Sequence, residues 1–419
     1  MQPRICDQWT LPNGLRIVGE RLPYLRTVSI GVWMRVGSMM ELPEEGGLSH
    51  FLEHMVFKGT AKRSYRDISE EMDSVGGQLD AFTTKDCTCF YAKVIDENLP
   101  LAMDILSDLT MHATLDPKEM EKERGVILEE ISMDEDDPDG LAHELLAEAL
   151  YGTQPVARPI LGTEQQIRAY TREQLNAFRS KHYRPESAVL ALAGNYDPAE
   201  VAALAEQAFG AWKNDGSRTE IPEMTARQGI VCAKEKETEQ LQLSLGYPGM
   251  RYGSEQLYAL QMMNSILGGS MSSRLFQRVR EELGMAYAIY SYPQCYTNVG
   301  IFGISAGVSA KNGERVLEEI AKVNRRLLAE GVTQREFDAA KAQMRSVFLM
   351  GLESPGNRMQ AMGRSLLLLD RLNKPEDMIA RIEAVTRDDV MDAARATLGV
   401  PACLGAAGKG AGAFASYQL

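Results

Sequence analysis

Residues 50 to 54 read His-Phe-Leu-Glu-His, and in a chain with only five histidines this pairing constrains the fold more than any other feature. On a helix, positions i and i+4 lie on one face about one turn apart, so His50 and His54 can aim their imidazoles at a single point. Glu53 then sits beside them. Two imidazoles at this spacing suit one metal ion, and the adjacent glutamate is placed to activate a water held there. The order, H-x-x-E-H, is the inverse of the H-E-x-x-H arrangement.

The motif by itself is incomplete, because a catalytic zinc usually takes three protein ligands and keeps one position open. No histidine follows His182, and Cys87 and Cys89 are not spaced as a chelating pair, so a carboxylate is the natural third ligand. The segment LDPKEMEKERGVILEEISMDEDD supplies candidates. Asp116 reads as an N-cap, Pro117 fits the first helical position and Glu119 completes a capping box, which predicts a helix from about Pro117 into the acidic stretch. Glu123 and Glu130 then share a face. Glu119, Glu121, Glu129 and Glu135 are equally readable as solvated charges, and periodicity does not choose among them.

GGLSHFLEHMVFKGT followed at this distance by ERGVILEEI resembles the pitrilysin and insulinase family of zinc metallopeptidases, and within it the branch of bacterial processing proteases and the catalytic subunit of mitochondrial processing peptidase. LPNGLRIV, VGGQLDAFTTKDCTCFYAKV, ARPILGT, HYRPESAVLALAGNYD and LGGSMSSRLFQRVREELGMAYAIYS extend the likeness over nearly the whole chain. The resemblance implies a zinc site of one Zn2+ per chain, with His50, His54 and Glu130 as metal ligands and Glu123 supporting them from behind. It implies Glu53 as general base, Arg280 and Tyr287 as a pair brought to the substrate from the C-terminal domain, and Asp80, Ala81 and Phe82 as the edge to which a peptide adds as a strand. Many relatives carry Asn where this chain has Asp80.

With 419 residues the chain is too long for one ordinary core, and two domains of about 200 residues are expected. Asn214, Asp215, Gly216, Ser217 and Pro222 place a linker at about 216–225, between a catalytic zinc-binding domain over 1–215 and a similar C-terminal domain over 226–419. The order of elements repeats weakly on either side. A helix capped by Ser64 and ended by Gly76 precedes an alternating run in the first half, and SRLFQRVREELG precedes another in the second. A capped helix follows each, opened by Asp116 with Glu119 and by Thr333 with Glu336. The expected fold class is therefore α+β: two similar domains, each an antiparallel sheet covered by helices, together half of a metallopeptidase clamshell.

Net charge of −13 argues against nucleic acid as a partner, since phosphate binding needs a basic face. No stretch approaches a membrane span, so no membrane partner is expected. The start, MQPRICDQWTLPNG, lacks a secretory pattern, which favours a bacterial cytoplasm, with a mature organellar matrix enzyme as the other setting. The expected activity is hydrolysis of extended, unfolded peptides by a zinc endopeptidase, in a chamber between subunits. The acidic run Asp134, Glu135, Asp136, Asp137, Asp139 and Glu144 suggests basic, presequence-like substrates, against the plainer reading of a solvated helix end. Because the chain carries both the motif and the Arg280 and Tyr287 pair, a homodimer is favoured over a heterodimer with an inactive relative. The alternative is a noncatalytic scaffold of the same fold, or a subunit needing a second chain; the intact His50, Glu53, His54 and Glu130 count against it.

Overall fold

Each half of the chain folds its alternating apolar runs into one sheet. The computed structural model describes residues 5–418, packed as two units. The strands of the first half are β1 (Ile5–Thr10), β2 (Arg16–Arg21), β3 (Thr27–Met34), β4 (Gln78–Thr83), β5 (Thr88–Ile95) and β6 (Ala188–Gly194). Those of the second are β7 (Val231–Glu235), β8 (Leu241–Pro248), β9 (Ala286–Cys295), β10 (Gly300–Val308) and β11 (Cys403–Gly408). The sheets run β1-β2-β6-β3-β5-β4 and β7-β11-β8-β10-β9, so apart from the added β1 they share one topology. Each is antiparallel except for a single parallel pairing, β2 with β6 and β7 with β11. These are the first and last strands of each repeat, joined by most of a domain rather than by a hairpin.

The chain does not divide at one point. It passes between the units at Ile221/Pro222, and also at Ile131/Ser132, Arg158/Pro159, Phe348/Leu349 and Asn373/Lys374. The contiguous halves 1–215 and 226–419 read from the sequence thus differ from the spatial units by two exchanged segments. Helix Pro138–Tyr151 packs on β7, β8 and β11, and helix Pro355–Leu369 packs on β2, β3 and β6. Linker composition marks where the chain is exposed, whereas hydrophobic period says only that a helix is buried, not on which sheet.

Glycines make the seats for both exchanged helices. In unit one, a Cβ on Gly363 would lie 2.3 Å from Trp33 Nε1, and one on Gly31 would lie 2.9 Å from Met359 Sδ. Ser29, Gly31 and Trp33 alternate onto this face of β3, leaving Val28, Ile30, Val32 and Met34 for the opposite one, so both faces are covered and the strand is buried from Val28 onward. In unit two, a Cβ on Gly246 would lie 2.6 Å from Leu146 Cδ2 and one on Gly405 would lie 2.2 Å from the Ala142 carbonyl. Three guanidiniums close the end of helix Pro355–Leu369: Arg16 donates to the Leu366 carbonyl at 2.9 Å, and Arg35 and Arg218 donate to that of Leu367 at 2.7 and 3.0 Å. Cations on the last carbonyls satisfy groups that the helix leaves open and oppose its negative end.

The local signals are present as elements. Asp116 Oδ1 accepts from the Lys118 and Glu119 amides at 2.8 and 3.3 Å, Ser64 and Asp67 form a capping box, and so do Thr333 and Glu336. Cys87 and Cys89 are buried, and no disulfide forms among the described residues.

Candidate metal centre

The motif lies on helix Leu48–Val56 of unit one. Phe51, Leu52, Met55 and Val56 are buried, which leaves the face bearing His50, Glu53 and His54 half-open. The helix is started from outside. Gly47 holds φ +88°, a left-handed conformation suited to glycine, and its missing side chain leaves room for the Leu161 carbonyl, which a Cβ would approach to 2.5 Å. The Glu41 carboxylate then accepts from the amides of Gly47 and Ser49 at 3.0 and 2.7 Å, placing an anion at the positive end of the helix.

Across from it runs the acidic helix Pro117–Asp136. Arg124 ties this helix down by donating to the Tyr170 and Ile167 carbonyls while its guanidinium stands 5.6 Å from the centre of the Phe51 ring. That orientation turns Glu123 and Glu130, two turns apart, toward the histidines. Glu130 Oε2 is 3.6 Å from His50 Nε2 and 3.6 Å from His54 Nε2. These distances are too long for hydrogen bonds, yet close to the roughly 3.4 Å edge of a tetrahedron with bonds of about 2.1 Å to a central ion. Among the described residues these three form the one group with metal-ligand spacing, all their ligand atoms lying within 4.8 Å of one another. Glu129 and Glu135 are exposed, while Glu119 and Glu121 pair with Lys122 and Arg124.

Glu123 is buried and lies behind the trio, its Oε2 3.1 Å from His54 Nδ1. Its other oxygen meets Lys58 Nζ at 2.7 Å. The sequence reading overlooks Lys58, although its place four residues after His54 is the available signal. Glu53 Oε2 and His50 Nδ1 are buried without hydrogen-bond partners. Burial raises the Glu53 carboxyl, a shift opposed by the Thr83 hydroxyl and His54; burial and neighbouring His54 lower His50 to about 4, which keeps it neutral and able to ligate. Three ligand atoms gathered on a half-buried face, with the Glu53 carboxylate oxygen beside them left without a hydrogen-bond partner, are what a divalent cation would complete.

The strand residues lie in the same unit. Among the described residues β4 pairs with β5 alone and is one of the two edges of its sheet. Asp80 Oδ2 accepts from the Tyr91 hydroxyl at 3.1 Å, and Asp80 Oδ1 accepts from the Ala81 amide at 2.8 Å, so this carboxylate covers a main-chain donor on the edge strand. Phe82 packs edge-on against Trp33, with centroids 5.6 Å apart. Arg280 and Tyr287 lie in unit two. Phe276–Glu282 winds as a π-helix, ended at Gly284 with φ +58°, and the Arg280 guanidinium sits 4.7 Å from the Phe276 ring centre and 5.4 Å from that of Tyr287. Tyr287 is 78% exposed, so this stack is presented to solvent rather than absorbed in a core.

The acidic run is partly committed to structure. Asp137 caps helix Pro138–Tyr151 through the amides of Asp139 and Gly140, Asp139 accepts from Tyr290 and Ser305, and Asp136 pairs with Lys236.

Residues 16–164 match the family described as insulinase, peptidase family M16, and residues 169–344 match the peptidase M16 inactive domain. A protein of Bacillus subtilis named uncharacterized zinc protease YmxG is 41% identical over 93% of this chain and 95% of its own length. The chain belongs to the M16 peptidase family. Within it, an uncharacterized zinc protease of Streptomyces coelicolor is 41% identical over 93% of this chain and 86% of its own length. The M16 fold extends to more distant structures, a protease from Helicobacter pylori (TM-score 0.89, 22% identity, 97% of this chain and 99% of the other) and a peptidase M16 inactive domain from Pseudomonas fluorescens (0.90, 22%, 97% and 98%). As an M16 sequence the chain keeps its metal motif in the first matched segment, and its second segment has one histidine, His182. No helix among the described residues is long and apolar enough to cross a membrane.

Proposed function

We propose that this chain is a zinc-dependent endopeptidase that cleaves extended peptides, with one zinc held by His50, His54 and Glu130. The observation that carries the reading is the cradle itself: three ligand atoms within 4.8 Å of one another, Glu130 standing 3.6 Å from each histidine nitrogen, with Glu53 beside them and Glu123 behind. Zinc held there supplies Lewis acidity toward a peptide carbonyl and makes water a stronger acid. Glu53 receives the proton of the attacking water at Oε2, the oxygen left without a partner, and passes a proton to the departing amine nitrogen. The substrate backbone is taken up along β4, whose outer edge has no strand beside it among the described residues. A peptide strand added there has to displace the Asp80 carboxylate from the Ala81 amide. Arg280 and Tyr287 stabilise the charge that develops on the carbonyl oxygen.

Stripping the protein with a zinc chelator is expected to bring cleavage of a quenched fluorescent peptide library to background, and zinc added back is expected to restore it. Undiminished cleavage by metal-free protein would sink the proposal.

Arg280→Ala is expected to lower kcat by about 10²-fold with zinc content unchanged. Full activity in that variant would remove Arg280 from the machinery. Mixing it with Glu53→Gln addresses the homodimer: recovered cleavage means that Arg280 of one copy serves the zinc of another, and no recovery places the pair and the metal in the same chain.

A further inference from the structure

We infer that Lys58 is a positioning residue for the metal centre, acting through Glu123 to hold the ring of His54; the inference rests on the zinc reading above. Glu123 is buried, and its two oxygens are divided between Lys58 Nζ at 2.7 Å and His54 Nδ1 at 3.1 Å. The result is a chain of three groups running from the ammonium through the carboxylate to the imidazole. His54 Nε2, on the far side of the ring, faces Glu130. A hydrogen bond at one ring nitrogen selects which nitrogen carries the proton and stops the ring turning, which leaves the other free to ligate.

The backbone sets Lys58 where it is needed. It follows Phe57, the C-cap of the motif helix, and its own amide donates to the Met55 carbonyl at 3.2 Å. A cation at this end of the helix is favoured by the unsatisfied carbonyls of the last turn. Without the ammonium, the buried Glu123 would keep one partner, the His54 ring, and a desolvated carboxylate in that position turns toward water when it can. His50 cannot compensate, because its Nδ1 has no hydrogen-bond partner. Of the two histidines, His54 is therefore the anchored ligand, and Lys58 is the outer end of its anchor.

Zinc release to a chromophoric chelator, measured alongside peptide cleavage, tests this. Lys58→Met is expected to speed zinc release at least about 10-fold, and Lys58→Arg, which keeps the cation, is expected to stay within about threefold of wild type. In a Glu123→Gln background, Lys58→Met is expected to add less than about twofold, since its route to the metal is already cut. Release from Lys58→Met at the wild-type rate would overturn the inference, and so would a full additional effect in the Glu123→Gln background, which would mean that Lys58 acts through some other contact. A wild-type chain that binds no zinc would overturn the zinc reading itself.

Discussion

Glu53→Gln is expected to lower peptide cleavage by about 10²–10⁴-fold while zinc content stays at the wild-type level. Glutamine keeps the size of the side chain and leaves His50, His54 and Glu130 untouched, so the three ligand atoms stay within reach of one ion. It cannot take a proton. Glu53 Oε2 is buried and makes no hydrogen bond, so no structural contact is lost at that atom and folding should be little affected. Zinc content by atomic absorption and turnover of a quenched peptide, measured on the same samples, separate the alternatives. Wild-type turnover in the variant would remove Glu53 from the reaction. Zinc bound in both proteins with turnover in neither would support the scaffold reading of this fold.

Gly363→Leu should destabilise the protein by about 2 kcal/mol or more, although leucine is the better helix former by about 1 kcal/mol. Gly363 lies inside helix Pro355–Leu369, where a Cβ would come within 2.3 Å of the Trp33 indole. That indole is 2% exposed and its Nε1 donates to Met359 Sδ at 3.4 Å, so it has nowhere to retreat. Gly125, in the acidic helix, is the contrasting case. A Cβ there would meet nothing within 4 Å, and Gly125→Ala should stabilise by about 0.5–1 kcal/mol through reduced chain entropy. Urea unfolding of both variants reads the difference. A midpoint for Gly363→Leu at or above the wild-type value would show that the exchanged helix does not depend on close contact with β3.

Much of the site is legible along the chain because helical spacing alone makes it so. His50, Glu53 and His54 fall on one half-open face, Asp116 starts the acidic helix, and the seven-residue step from Glu123 to Glu130 keeps both on one side. Choosing Glu130 over Glu129 or Glu135 needs the rotation of that helix about its axis. Arg124 sets it, through carbonyls more than forty residues away in sequence. Lys58 is hidden for a related reason. A lysine after a helix reads as a surface charge until a buried carboxylate is found beside it.

What the sequence determined by itself is local: the caps, the helical face carrying the motif, the alternation of the strands and the repeat of one α+β plan in two halves. Only the tertiary structure decided which sheet each helix covers. Pro138–Tyr151 leaves the first half for the second sheet, Pro355–Leu369 makes the reverse move, and glycines at Gly246, Gly405, Gly31 and Gly363 supply the depth each contact needs. The physical reason is that hydrophobic burial has no direction of its own. An amphipathic helix is stabilised by any apolar face it reaches, and the face it takes is set by shape between residues far apart in the chain.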